Sequence, residues 1–452
     1  MDYRLLGLLE KLNFFYCYST HMTPILQHYL KEYDKFKSYL IKTQHSLSLE
    51  KRQRAFNTFY QKGFPSTQEE AWAGIARSPF LQHAFHIALP NTERTHISGT
   101  LPKMWEPSAI RFVFINGYFS KQLSSPLSTL PDGLHVQTLA ELSQQASQAT
   151  ESNDLDQDVT TLNPFAAINQ AFSQDGMIIT VDDYHVIEPL IELCFIGEPS
   201  LEALPLLIAT HHKIKVGQKS RVRFLETYWP ACSAATASLF MNVVTTLRLE
   251  AAADVIWAQN IQAEQGYIHV GALEVSQDAK SHLALESFVR GGSLVRHTIP
   301  ICLSGEGASA QVQALSLSKE KHNIDHQVML QHEASYTSSS VDYRAIADEQ
   351  SRIGFRGEVH AIAGVIQVQA KQNSRNLLLS SQAVIDTQPR LELFTDDLMC
   401  THGATVGSLD EAALFYLQSR GIPKTKARAL LIEAFSQSIL DKMLILSSAV
   451  LE

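Results

Sequence analysis

Cys400 and His402 stand two residues apart in the run Asp396-Asp397-Leu398-Met399-Cys400-Thr401-His402-Gly403. In an extended segment such residues project to one side, so a thiolate and an imidazole can meet one ligand or one partner surface. Both are soft-to-borderline ligands suited to iron, zinc or an iron–sulfur cluster. Two ligands leave a tetrahedral site open, so a metal held here needs further ligands from elsewhere in the chain or from a second chain. The spacing alone more often describes a buried cysteine beside a hydrogen-bonded histidine.

Other histidine pairs carry less. A helical H-x-x-x-H can clamp zinc, but around His322 and His326 the residues Lys319-Glu320-Lys321 and Asn323-Ile324-Asp325 read as a polar turn. Structural or solvated roles are expected for this pair and for His211-His212. No G-x-x-x-x-G-K-[ST] loop is present, so the chain is not expected to hydrolyse ATP itself. The five cysteines, Cys17, Cys194, Cys232, Cys302 and Cys400, are widely spaced with no C-x-x-C pair, which fits a reducing compartment. A net charge of −9 argues against nonspecific nucleic-acid binding. The N-terminus lacks a basic segment followed by an apolar run, and no stretch reaches the ~20 apolar residues of a membrane span; a cytoplasmic protein is expected.

The elements that must position Cys400 and His402 follow from periodicity. Residues 1–80 read as helical, with Leu5, Leu8, Leu9 and Leu12 on one face. Ser66 and Glu69 form a capping box before Trp72. Ile110 to Phe119 reads as a strand, an Asn116-Gly117 turn and a second strand. From Ser124 to Leu162 the composition turns polar, marking a linker with one short helix near Thr138 to Gln145. Asn163 to Phe172 is a short helix leading through Asp175-Gly176 into strands that run to Phe394.

Turn clusters at Ala253-Asp254, Asp278-Ala279, Gly305-Glu306-Gly307, Asp348-Glu349 and Asn373-Ser374 recur at multiples of a coil of ~22–28 residues, the mark of a β-solenoid. A sandwich, with turns every ~8–12 residues, stays open on strand lengths alone. After Gly407, Ser408 to Glu411 reads as a capping box for a helix carrying Leu409, Ala412, Ala413, Tyr416 and Leu417 on one side. Gly421 and Pro423 end it. A second helix from Lys424 to Met443 has Leu430, Leu431, Ala434, Phe435 and Ile439 on a stripe. A hairpin of this kind would cap the open end of a solenoid. The expected divisions are 1–122, 123–162, 163–399 and 400–452.

The segment Asp396 to Pro423, DDLMCTHGATVGSLDEAALFYLQSRGIP, resembles the C-terminal signature of the SufB/SufD family, subunits of the scaffold on which iron–sulfur clusters are assembled. The run Gly403 to Gly407, where SufB sequences carry a Glu, is similar to the SufD branch. Further likenesses lie at Gly63-Phe64-Pro65 through Trp72, at the Asn116-Gly117 hairpin, at Asn163-Pro164-Phe165 through Asp175-Gly176, at Gly291-Gly292 with Arg296-His297, at His332, and at Asp386-Thr387 to Leu393. They span the chain from Gly63 onward; before that only helicity matches.

The resemblance implies a mainly β fold: a right-handed parallel β-helix core with an N-terminal helical region and a C-terminal helical hairpin. It implies a non-catalytic scaffold that pairs with a SufB-like subunit and docks a SufC-like ATPase through the hairpin, where Leu409, Phe415, Tyr416, Leu417, Arg420, Leu431 and Phe435 are the candidate contacts. His402 and Cys400 would serve a transient iron–sulfur cluster at the shared interface, with no cofactor held by the isolated chain, and an isolated homodimer is compatible with a shared subunit fold. Two other classes compete. A β-helix enzyme acting on acidic polysaccharides would need a clustered set of charged residues on one face. A Cys–His hydrolase would need Cys400 activated by a neighbouring base.

Overall fold

The computed structural model describes residues 23–43, 49–66, 83–90, 101–145, 163–200, 204–230, 238–263 and 265–448, with a few single positions between them. The expected helical face at Leu5 to Leu12, and Cys17 and Cys232, lie outside the described residues.

Two ten-stranded sheets face each other, and successive strands alternate between them. Sheet one stacks Leu206–Val216, Leu239–Leu249, Tyr267–Gln277, Leu294–Leu303, Asn323–His332, Arg352–Ala361 and Val384–Leu393. Sheet two stacks Ile191–Gly197, Arg221–Pro230, Asp254–Ala263, His282–Gly291, Ser309–Ser318, Ser338–Ala347, Val368–Leu378 and Leu398–Ser408. Neighbouring strands within these stacks are parallel. The chain is therefore a parallel β-solenoid of about seven coils, which excludes the sandwich, because hairpin-joined sandwich strands would be antiparallel.

Coil lengths straddle the upper end of the expected spacing. Ile268 lies beside Leu294, 26 residues on, and Leu206 beside Leu239, 33 on. Each coil consists of only two strands, mostly ten or eleven residues long, and every turn between them adds its own residues. Asn373-Ser374, read as a turn, lies inside Val368–Leu378. One corner repeats in detail. The residues Lys219, Ala252, Lys280, Gly307 and Tyr336 all take positive φ, and each amide bonds to the carbonyl of the next coil's corner. Parallel strands leave these corner amides without a partner in their own coil, so the stack supplies it.

An apolar column runs through the interior, with Phe224, Trp257, Leu285 and Val312 in register on sheet two. The outside of sheet one is covered near its start by helices α1 (Pro24–Lys42), α2 (Leu49–Lys62) and, after the short α3 (Leu139–Gln145), α4 (Pro164–Phe172). Their aromatic faces (Tyr29, Tyr33, Phe36, Phe56, Phe59, Phe172) pack against Leu207, Phe240, Ile268 and Leu294 of the sheet. Asn163 caps α4 by accepting from Ala166 N at 2.8 Å, with Pro164 at the first helical position where its missing N–H costs nothing. Asn116 and Gly117, at φ 49 and 87, make the tight turn of the expected hairpin.

Two stretches differ from expectation. The polar segment after Ser124 is built in along its first part: Leu134–Thr138 pairs antiparallel with Met177–Val181, and α3 follows it. At the other end, Leu398–Ser408 is a solenoid strand, so the C-terminal helical segment begins after Ser408 and not at residue 400.

Candidate functional site

The solenoid ends without a cover. Among the described residues nothing pairs with the free sides of Val384–Leu393 and Leu398–Ser408, the terminal strands of the two sheets. Leu398–Ser408 is eleven residues long and contains no Lys, Arg, Asp, Glu or Pro. It lacks the charges, prolines and bulges that usually blunt an edge, and so offers its backbone amides and carbonyls to another strand.

Cys400 and His402 both lie on this strand. In the strand beneath, the alternate residues Ala370, Gln372, Ser374 and Asn376 are buried, and they are in register with Cys400, His402, Ala404 and Val406. The Cys–His pair therefore continues an inward-facing column at the open mouth of the solenoid. The Cys400 thiol is half-buried against the core, and burial pushes its pKa up. That is the opposite direction from an activated nucleophile, which counts against a Cys–His hydrolase. His402 is exposed. Directly below it Gln372 is buried, and its carboxamide has no hydrogen-bond partner among the described residues. Thr387 from the opposite sheet donates to Ser374 Oγ at 3.0 Å, tying the two walls of the mouth together.

The helical hairpin does not close this mouth. Asp410, not Ser408, caps α5 (Glu411–Ser419), accepting from the amides of Ala412 and Ala413 at 2.8 and 3.1 Å; Ser408 is still in the strand. Gly421, at φ 84, ends the helix and Pro423 precedes α6 (Lys424–Leu440). The chain then lies on the outer face of sheet two: Ile439, Leu440, Met443 and Leu446 pack on Leu225, Ala258, Phe288 and Leu315. Glu286 accepts from the amides of Leu444, Ile445 and Leu446, Arg344 donates to the Phe435 carbonyl at 2.8 Å, and Lys442 donates to Asp342 at 2.6 Å.

The buried positions of α6 are Ala427, Ser436, Ile439 and Leu440, so the stripe read from the sequence is rotated: Leu430 and Ala434 face outward. Of the candidate docking residues, Phe415 and Tyr416 are 73% and 56% exposed. Arg420 stacks over the Tyr416 ring, its guanidinium 5.2 Å from the centroid. Leu409, Leu417, Leu431 and Phe435 are half-buried.

A polar line inside the solenoid was not legible from the sequence. Fully buried Glu226 accepts from Gln259 Nε2 at 2.6 Å, Thr245 Oγ1 at 3.0 Å and Tyr228 OH at 3.1 Å, and burial pushes its carboxyl up. Gln259 Nε2 also reaches His297 Nε2 at 3.1 Å. The rings of His269, His297 and His326 follow at centroid spacings of 5.9 Å and lead to Tyr343. Burial lowers His269 to about 3 and His326 to about 4, so these imidazoles are neutral. His211 and His212 are buried on the strand Leu206–Val216, and His326 is buried on the strand Asn323–His332 where a polar turn was expected, with His322 in the adjoining turn. His332 bonds Thr337 and Ser339 at 2.8 and 2.9 Å. The available signal was polar residues at inward strand positions with apolar neighbours two residues away, as in Phe224-x-Glu226-x-Tyr228.

Two motifs singled out in the sequence meet in space. Arg296 is buried, donates to Asp325 at 2.6 Å and Gln327 at 2.7 Å, and lies 3.7 Å over the Trp72 ring. The preceding Gly291 takes φ 79, and a Cβ there would sit 2.1 Å from the Ala263 carbonyl oxygen, so only glycine fits.

Comparison with known proteins gives a consistent picture. Residues 201–435 match the family description "SUF system FeS cluster assembly, SufBD core domain", and residues 23–193 match "SufBD protein N-terminal region". The chain is 26% identical to an iron–sulfur cluster assembly SufBD family protein of Synechocystis sp., over 89% of this chain and 88% of that one. It is 31% identical to the iron–sulfur cluster assembly protein SufD of Escherichia coli, over 35% of this chain and 37% of that one. Protein ABCI7, chloroplastic, of Arabidopsis thaliana is 24% identical over 88% and 83%.

Proposed function

Since the chain belongs to the SufBD family of SUF-system FeS cluster assembly proteins, we propose that it acts as a non-catalytic scaffold subunit of the SufD kind, pairing with a SufB-like subunit through its open last coil. The carrying observation is the uncovered strand Leu398–Ser408, with Cys400 and His402 on its inward column. A partner strand added there would satisfy the free backbone groups and bring further ligands to an incomplete donor set. The iron–sulfur cluster is cargo: a site completed only on pairing opens again when the subunits part, so the cluster can be built and released. A homodimer through the same edge is the competing assembly for the isolated chain.

Docking of a SufC-like ATPase belongs on the hairpin, where the large apolar rings of Phe415 and Tyr416 are exposed. In the cytoplasm, movement of that ATPase would act on α5 and α6. The test is co-purification with SufB-like and SufC-like partners, followed by anaerobic cluster reconstitution read by visible absorbance. His402→Ala is expected to lower cluster yield while the complex still forms; an unchanged yield overturns the assignment of His402.

A further inference from the structure

We propose that His28, Glu32 and His86 form a divalent-cation site of the kind that takes zinc, clamping α1 to the edge of sheet one. His28 and Glu32 are one helical turn apart and share a face of α1. His86 opens the short strand His86–Ile87, which pairs with Leu206 and Leu207 of the solenoid. One ligand atom from each of the three lies within 4.8 Å of the others, and His86 Nδ1 is already 3.2 Å from Glu32 Oε1. Two imidazoles and a carboxylate are a donor set for zinc with a fourth position left for water.

Groups behind the ligands hold them as metal ligands are held. His28 Nε2 is 2.7 Å from the Phe85 carbonyl, which can only accept, so Nε2 carries the proton and Nδ1 keeps its lone pair. A backbone carbonyl in that place fixes the tautomer of a ligating histidine. Glu32 is 7% exposed; its Oε2 accepts from Ile87 N at 2.9 Å, and Lys35 Nζ approaches the same oxygen at 3.9 Å. Oε1 is left facing His86. The His86 side chain is 30% exposed, which gives an ion a way in. The site is independent of the cluster edge and of the family's assembly role.

The experiment uses the full chain carrying Cys400→Ser and His402→Ala, so that the mouth of the solenoid contributes no ligands, with Co(II) as a spectroscopic probe and Zn(II) titrated by calorimetry. One equivalent of Co(II) giving a tetrahedral visible band, with Zn(II) raising Tm, is expected. His86→Gln and, separately, His28→Gln should weaken binding by at least about tenfold, with circular dichroism unchanged. Absence of binding in the parent, or binding that survives both substitutions made together, overturns the proposal.

Discussion

The two ends of the solenoid are built to opposite rules. At the start, α1, α2 and α4 lay an aromatic layer over sheet one, with Tyr33 and Phe56 stacked at 4.1 Å, and an antiparallel strand closes each sheet, Tyr118–Phe119 on sheet two and Leu134–Thr138 on sheet one. At the finish, residues 401–408 are exposed throughout, and the helices that could cover them lie instead on the flank of sheet two. A solenoid needs its ends sealed to avoid uncontrolled pairing. One end is sealed by the chain itself, and the other is uncovered among the described residues. Stability should therefore reside in the sealed and middle coils, and assembly in the open one.

Acid should separate the two most sharply. His212 and His269, lowered by burial to about 3, and His326, lowered to about 4, stay neutral in the fold, while in the unfolded chain they take up protons as pH drops below about 6.5. Stability present above that pH is lost as pH falls toward 3–4, by about 2 kcal/mol for each of them at pH 5. Glu226, raised by burial, binds its proton more readily when folded and offsets part of the loss. Urea midpoints at pH 7.5 and 5 should show the drop, and His326→Leu should reduce it by about one proton's worth; no pH dependence would mean the imidazole line is not buried.

Next in size, Trp257→Ala in the middle of the column should cost about 3–5 kcal/mol, whereas Val406→Ala at the mouth should change stability by less than about 0.5 kcal/mol. Equal costs in chemical denaturation would erase the contrast. Arg296→Met removes one member of a buried pair with Asp325 and the stack on Trp72, at about 3 kcal/mol; a Trp fluorescence change would report the released ring. The smallest effect on stability is expected from Thr405→Lys, within about 0.5 kcal/mol, because nothing stands over it. That substitution should nevertheless block capture of a SufB-like partner in pull-down, since a lysine on an edge strand discourages strand addition.

Much of this was legible in residue order. The turn clusters suggested a solenoid but left a sandwich open until the family resemblance decided it, and Gly421 marked the end of α5; the reading of Cys400 and His402 as an incomplete donor set awaits the cluster-yield test. The longer coils, up to 33 residues, were not legible, because turn residues are visible only at some corners: Ala252, Lys280 and Tyr336 adopt positive φ without being Gly or Asn. The interior polar line was hidden because Glu226 and Gln259, read one strand at a time, look like surface residues; only the register of neighbouring coils places them indoors. The orientation of α6 escaped because apolar residues surround the helix, so Leu430 and Ile439 looked equivalent though one is exposed and the other buried.

The regular stacking of strands also makes the molecule a ruler. Parallel neighbours repeat every ~4.8 Å, so ten strands set the distance from the sealed end to the open edge at about 43 Å. That length changes only in whole coils: excising residues 309–337, which returns the chain at Ser338 to the register position of Ser309, would bring the Cys400 edge one strand spacing closer to α1, and would take with it Leu315 of the surface on which the C-terminal segment packs.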